Sequence, residues 1–170
     1  MRRAAVILAI AVAALGGGAS AQASTPEVAS GTFAAPPPVP DRITTAGGNC
    51  FVELDDRFVL AGTLAGTLDL DFRLAFHGPC LAAQGEFHAA GKFTGTATTG
   101  GVARTGTAEA VFDGVFTGPQ AEGKLVLQRG DGGLAGLHGV LVLTGTPGVG
   151  GTYSGSVHVE DQEAGASYSS

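Results

Sequence analysis

The chain has 170 residues, with 29 Gly, 8 Pro, 2 Cys and no Trp, and only 14% of it is charged, against about 25% for an average globular domain. Its formal net charge of -6 argues against nucleic acid or an anionic membrane as a partner, because both select clustered Lys and Arg. The length suits a single domain, and the composition excludes a collagen-like chain, a coiled coil and a disulfide-dense miniprotein.

Residues 1–23 read as a secretory signal peptide. Arg2 and Arg3 make a positive n-region, Ala4 to Leu15 an apolar h-region, and Ala21-Gln22-Ala23 an A-x-A cleavage site, so Ser24 is the expected first mature residue. The apolar run is shorter than the roughly 20 residues a spanning helix needs, so no membrane partner is expected after cleavage. The Arg pair leaves twin-arginine export as the alternative route. The expected location is secreted or extracytoplasmic.

Residues 24–48 form an expected flexible Pro-rich segment. A short strand at Val28 to Phe33 precedes Ala34-Ala35-Pro36-Pro37-Pro38-Val39-Pro40, which cannot be a central strand or a helix because proline fixes φ and lacks the donor. Residues 161–170 read as a polar, disordered tail.

The expected folded domain spans 49–160, and its pattern is β throughout. From Thr67 to His77, Leu68, Leu70, Phe72, Leu74 and Phe76 alternate with Thr67, Asp69, Asp71, Arg73 and His77, which gives one apolar and one polar face. Weaker alternation recurs around Phe87 and Ala89, around Ala110, Phe112 and Phe116, at Leu125 and Leu127, and at Tyr153, Val157 and Val159. Turn signals separate the runs: Gly47-Gly48-Asn49, His77-Gly78-Pro79, Thr99-Gly100-Gly101, Gly118-Pro119, Gly130-Asp131-Gly132-Gly133 and Pro147-Gly148. Many short strands joined by tight turns suggest an antiparallel meander, and closure removes its edges. The expected fold is therefore all-β, a small antiparallel barrel of about eight strands rather than a sandwich. An even cysteine count in an oxidising compartment pairs Cys50 with Cys80.

Four segments in order, Phe93-Thr94-Gly95-Thr96, Gly123-Lys124-Leu125-Val126-Leu127, Gly133-Leu134-Ala135-Gly136-Leu137-His138-Gly139 and Gly151-Thr152-Tyr153-Ser154-Gly155, carry a resemblance. The succession resembles the allene oxide cyclase-like barrels, in particular uncharacterised secreted bacterial members, over about Asn49 to Glu160. The resemblance implies a calycin-like barrel with an apolar interior, related to plant cyclases and to dirigent proteins that bind or steer hydrophobic intermediates. The cyclase's catalytic carboxylate and polar pocket residues have no matching positions here, so that activity does not transfer.

Candidate chemistry is sparse, and no catalytic, cofactor-binding or metal-ligating residue is assigned. His77, His88, His138 and His158 show no zinc-type spacing; three fall on polar strand sides and His138 in a glycine-rich turn, leaving a chance zinc or copper pair as the alternative. Glu53, Asp55 and Asp56, with Asp69 and Asp71 on a neighbouring strand, read as a solvated outer face paired with Arg57 and Arg73, with calcium or acid/base work as alternatives. No serine sits in a nucleophile elbow, and no glycine-rich turn leads into a phosphate-binding helix.

The phenylalanines Phe51, Phe58, Phe72, Phe76, Phe87, Phe93, Phe112 and Phe116 could line one interior, which is either filled by side chains or holds one small ligand. The apolar pocket residues singled out are Phe72, Phe76, Phe87, Phe112, Phe116 and Tyr153. The expectation is a secreted barrel that is not an enzyme, needs no cofactor and binds a small hydrophobic ligand. The alternatives are a cyclase or isomerase steering a hydrophobic intermediate, and a self-associating extracellular structural protein.

Overall fold

The structure is a computed structural model and describes residues 25–160. The expected signal peptide and C-terminal tail lie outside the described residues. Nine strands make up the fold: β1 (Glu27–Ala34), β2 (Arg42–Ala46), β3 (Asn49–Gly62), β4 (Leu64–Phe76), β5 (Gln84–Thr99), β6 (Val102–Thr117), β7 (Gln120–Gly132), β8 (Leu137–Thr146) and β9 (Gly150–Val159). They form one antiparallel sheet in the order β1-β9-β8-β7-β6-β5-β4-β3-β2, and an added β1–β3 pairing closes eight of them into a ring. The fold is the expected small all-β barrel. Its strands begin at Glu27, so the segment ahead of residue 49 supplies a wall of the ring as well as the proline run.

The alternation read in the sequence sets which face looks inward. Leu68, Leu70 and Phe72 on β4 are buried while Asp69 is paired outside with Arg57 of β3. On β3 the even positions Val52, Leu54, Phe58 and Leu60 are buried. Phe51, expected inside, is instead 40% exposed because its odd position places it on the outer face.

β3 is shared between two partners. Its first residues pair with β2, from Asn49 to Glu53, and its last pair with β1, from Val59 to Gly62. Between them the outward-turned amides at Asp55 and Arg57 have no strand beside them. Asp55 N–H donates to Asp41 Oδ2 at 3.1 Å and Arg57 N–H donates to Asp56 Oδ1 at 2.7 Å, so two carboxylates cover the seam in place of a ladder. The proline run Pro36 to Pro40 carries the chain across this gap, leaving β1 at Ala34 opposite Val59 and returning at Arg42 opposite Glu53.

The two ends of the barrel differ. At one end Leu64, Phe93, Ala97, Leu134, Leu137 and Val157 have no exposed surface. Tyr153 adds a tie across this interior: its hydroxyl accepts from Leu64 N–H at 2.8 Å and donates to Leu64 C=O at 3.0 Å. Burial raises the phenol pKa above its ordinary value of 10.0, partly offset by the Leu64 bond. Space for the ring exists because Gly31 lies under it; a Cβ there would stand 2.4 Å from the Tyr153 hydroxyl. The other end gathers the β1–β2 proline run and the β4–β5, β6–β7 and β8–β9 connections, and it is open.

Candidate functional site

The open end holds a cavity of about 470 Å³, inside the range of small-molecule sites, roughly 300–1,000 Å³. Its walls are Phe33 of β1, Leu54 and Phe58 of β3, Phe72, Leu74 and Phe76 of β4, Phe87 of β5, Phe112 and Phe116 of β6, Ala121 of β7 and Leu143 of β8. Pro38 from the proline run, Leu81 to Ala83 from the β4–β5 loop, and Pro147 form the rim.

The aromatic rings explain why the interior is not filled. Each lies against the wall where a neighbouring strand has glycine: a Cβ on Gly85 would meet Phe116 at 2.2 Å, one on Gly114 would meet Phe87 at 2.4 Å, and one on Gly123 would meet Phe112 at 2.6 Å. The rings spread over these bare backbones and pack on each other, Phe58 with Phe72 at 5.9 Å, Phe72 with Phe112 at 6.1 Å and Phe87 with Phe112 at 4.8 Å. Beside Phe116, β7 and β8 present the cross-strand pair Ala121 and Gly145, whose small size leaves the space in front of the rings open.

The structure thus brings together Phe72, Phe76, Phe87, Phe112 and Phe116 around one cavity. Tyr153, expected among them, belongs to the core toward the closed end, where its hydroxyl needs the Leu64 backbone to be buried without loss. Cys50 and Cys80 form a disulfide, with S–S 2.08 Å and Cα–Cα 4.9 Å, and it anchors the β4–β5 loop that supplies Leu81, Ala82 and Ala83 to the rim.

One residue of the acidic cluster departs from its expected place. Glu53, Asp55, Asp69 and Asp71 lie on the outer face, with Glu53 3.8 Å from Arg42 and Asp69 paired with Arg57. Asp55 stands directly opposite Asp71, and that like charge, then burial, then Asp41, raises its carboxyl pKa above the ordinary 3.8. Asp56 does not join this face. It occupies the inward position between Leu54 and Phe58 and lines the cavity as its one charged residue. Desolvation raises its pKa above 3.8, against a lowering by the Arg57 amide. The signal was present in the sequence: the even-numbered alternation Val52, Leu54, Asp56, Phe58, Leu60 has a carboxylate at its centre.

The sign of that shift makes a prediction. A carboxyl whose folded pKa exceeds its unfolded value contributes stability that is complete below the unfolded pKa and is lost as pH rises through the folded one. Asp56→Asn keeps an acceptor for the Arg57 amide and removes the charge. The variant is therefore expected to melt higher than the parent at pH 7, with the gain shrinking on acidification to below 3.8, as followed by thermal melts across pH. A variant less stable than the parent at neutral pH contradicts the desolvation account.

The histidines stand apart from the cavity. His88 Nδ1 bonds Asp113 on the outer face, and His138 and His158 stack across β8 and β9 with ring centroids 5.3 Å apart. Among the described residues no group of three or more His, Cys, Asp or Glu is placed to hold a metal ion.

No protein-family model and no curated protein matches the chain. Among solved structures, it is similar to a protein of unknown function from the DUF3224 family of Shewanella oneidensis MR-1, with a TM-score of 0.64 and 19% identity, covering 81% of this chain and 100% of that one. At that identity the likeness carries the fold alone, and the chain is a β-barrel of the kind the Shewanella protein forms.

Proposed function

We propose that this is an exported, allene oxide cyclase-like barrel that binds a small, mainly apolar ligand in the cavity at its open end. The observation that carries the reading is the cavity itself, about 470 Å³ walled by five phenylalanines on β4, β5 and β6 together with Leu54, Phe58 and Leu143. An apolar surface of this extent left facing a concavity gains by covering itself with a ligand. Export is supported by the disulfide, since such bridges persist in oxidising compartments.

The test is a titration with a neutral, environment-sensitive dye such as Nile red. The parent is expected to bind it saturably, and Ala121→Trp, which projects an indole into the cavity, is expected to weaken binding about tenfold or more. Phe51→Ala, on the outer face, serves as the control and should bind as the parent does. Absence of saturable binding by the parent, or equal binding by the Trp variant, would falsify the reading.

A second reading, a cyclase or isomerase, is favoured by Asp56. A carboxyl of raised pKa inside an apolar pocket is the type of group that exchanges protons with a bound intermediate.

A further inference from the structure

Asp56 presents a physical problem that the cavity alone does not resolve. Its side chain projects from the inward face of β3 into a site whose other lining residues are uncharged and, Thr146 apart, apolar. Among the described residues its hydrogen-bond partner is the neutral Arg57 amide, on Oδ1. The nearby guanidinium groups are committed elsewhere, Arg57 to Asp69 on the outer face and Arg42 toward Glu53. On β4, the position opposite Asp56 is Leu70, fully apolar and 1% exposed. Asp41, from the end of the proline run, is occupied with the Asp55 amide. Among the described residues no cation pairs with Asp56, and no base of any kind lines the cavity.

The rest of the site narrows what would compensate that charge. Phe58 is the next inward residue on the same strand, and Phe58, Phe72 and Phe112 form a triangle with ring centroids 5.9, 6.1 and 6.3 Å apart. Aromatic faces attract cations and repel anions. A ligand hydroxyl would occupy one lone pair of the carboxylate and leave its charge without an opposite partner. An ammonium supplies both the hydrogen bonds and the opposite charge, and charge-assisted bonds of this kind are about twice as strong as neutral ones. A carboxylate ligand would meet a like charge. The overall charge of -6 acts in the same direction, by favouring the approach of cations.

We infer that the ligand is a hydrophobic amine, an apolar body seated among the phenylalanines with one protonated nitrogen placed against the Asp56 carboxylate. This rests on the cavity being a ligand site, and it adds the chemical class that the site selects.

The test uses three probes with one skeleton and different heads: phenylbutylamine, phenylbutanol and phenylbutanoate. Each is titrated into the full protein by calorimetry at neutral pH and high salt, which screens attraction to the acidic outer surface. The parent is expected to bind the amine about tenfold or more tighter than the alcohol, and the carboxylate most weakly. Asp56→Asn is expected to erase the preference for the amine while still binding phenylbutanol. Asp71→Asn, an exposed carboxylate on β4, is expected to keep it. Equal binding of amine and alcohol by the parent overturns the inference and leaves the apolar-ligand reading standing. So does a preference that survives Asp56→Asn or disappears in Asp71→Asn. If none of the three probes binds the parent, the inference and the ligand reading fall together.

Discussion

Removing the Cys50–Cys80 bridge is expected to cost about 3–4 kcal/mol of folding stability, because it releases a loop of 30 residues in the unfolded chain. That is a large share of a typical margin of about 5–15 kcal/mol. The pair Cys50→Ala with Cys80→Ser suits the site, because Cys50 has no exposed surface and a serine there would bury a hydroxyl. Cys80 lies on the β4–β5 loop, which is otherwise held by the His77 amide to Gln84, the Gly78 amide to Phe76, the Ala82 amide to Pro79 and the Gly118 amide to Ala83.

The consequence therefore reaches the cavity. Leu81, Ala82 and Ala83 form part of its rim, and a loop tethered by backbone hydrogen bonds alone samples more conformations than one that is also bridged. Denaturant unfolding should show a lower midpoint, and titration with a neutral dye should show weaker binding. Reduction of the parent should reproduce both. An unchanged midpoint would mean that the open chain is already constrained near this loop. Unchanged dye affinity would mean that the rim is held by its backbone hydrogen bonds, among them that to Gly118, rather than by the bridge.

Much of the architecture was legible because one physical rule, alternation on a sheet that is wet on one face, runs through most strands. Leu68, Leu70 and Phe72 declared the inside of β4, and the pattern correctly implied a closed antiparallel meander. What escaped was information that only closure supplies. Arg42 to Ala46 became a strand although every residue in it is exposed, since its order comes from pairing with β3 rather than from a buried face. Tyr153 was recognisable as inward, but which end of the barrel receives it depends on strand register. Asp56 is the instructive miss. Three acidic residues close together in sequence read as one solvated cluster, yet consecutive residues on a strand face opposite ways, so Asp55 and Asp56 belong to different environments. Counting parity from Val52 would have placed Asp56 with Leu54 and Phe58. Among the residues that line the cavity Asp56 is the one that carries a charge, and that exception marks the site.

The closed end owes its seal to the turn between β7 and β8, and Leu134→Ala is expected to show how much. Leu134 has no exposed surface even though it sits in a connection rather than a strand. The turn folds back over the barrel: the Leu134 amide donates to Asp131 C=O at 3.3 Å, the Leu137 amide donates to Leu134 C=O at 2.9 Å, and the Gly133 amide reaches Thr105 C=O at 2.9 Å. Gly130 permits the close approach, since a Cβ there would fall 1.7 Å from the Leu134 carbonyl oxygen. With the backbone fixed by these bonds, the turn cannot collapse into the space an alanine leaves. The loss should then fall at about 2–5 kcal/mol, the range in which transfer and cavity costs add. Because Leu134 lies at the end opposite the ligand cavity, dye affinity should stay near that of the parent under conditions where the variant is folded. A loss of stability below about 1 kcal/mol would indicate that the turn relaxes inward. A loss of dye binding in the folded variant would show that the two ends of the barrel are mechanically coupled through the shared core of Leu125, Leu127 and Leu141, all 1% exposed or less.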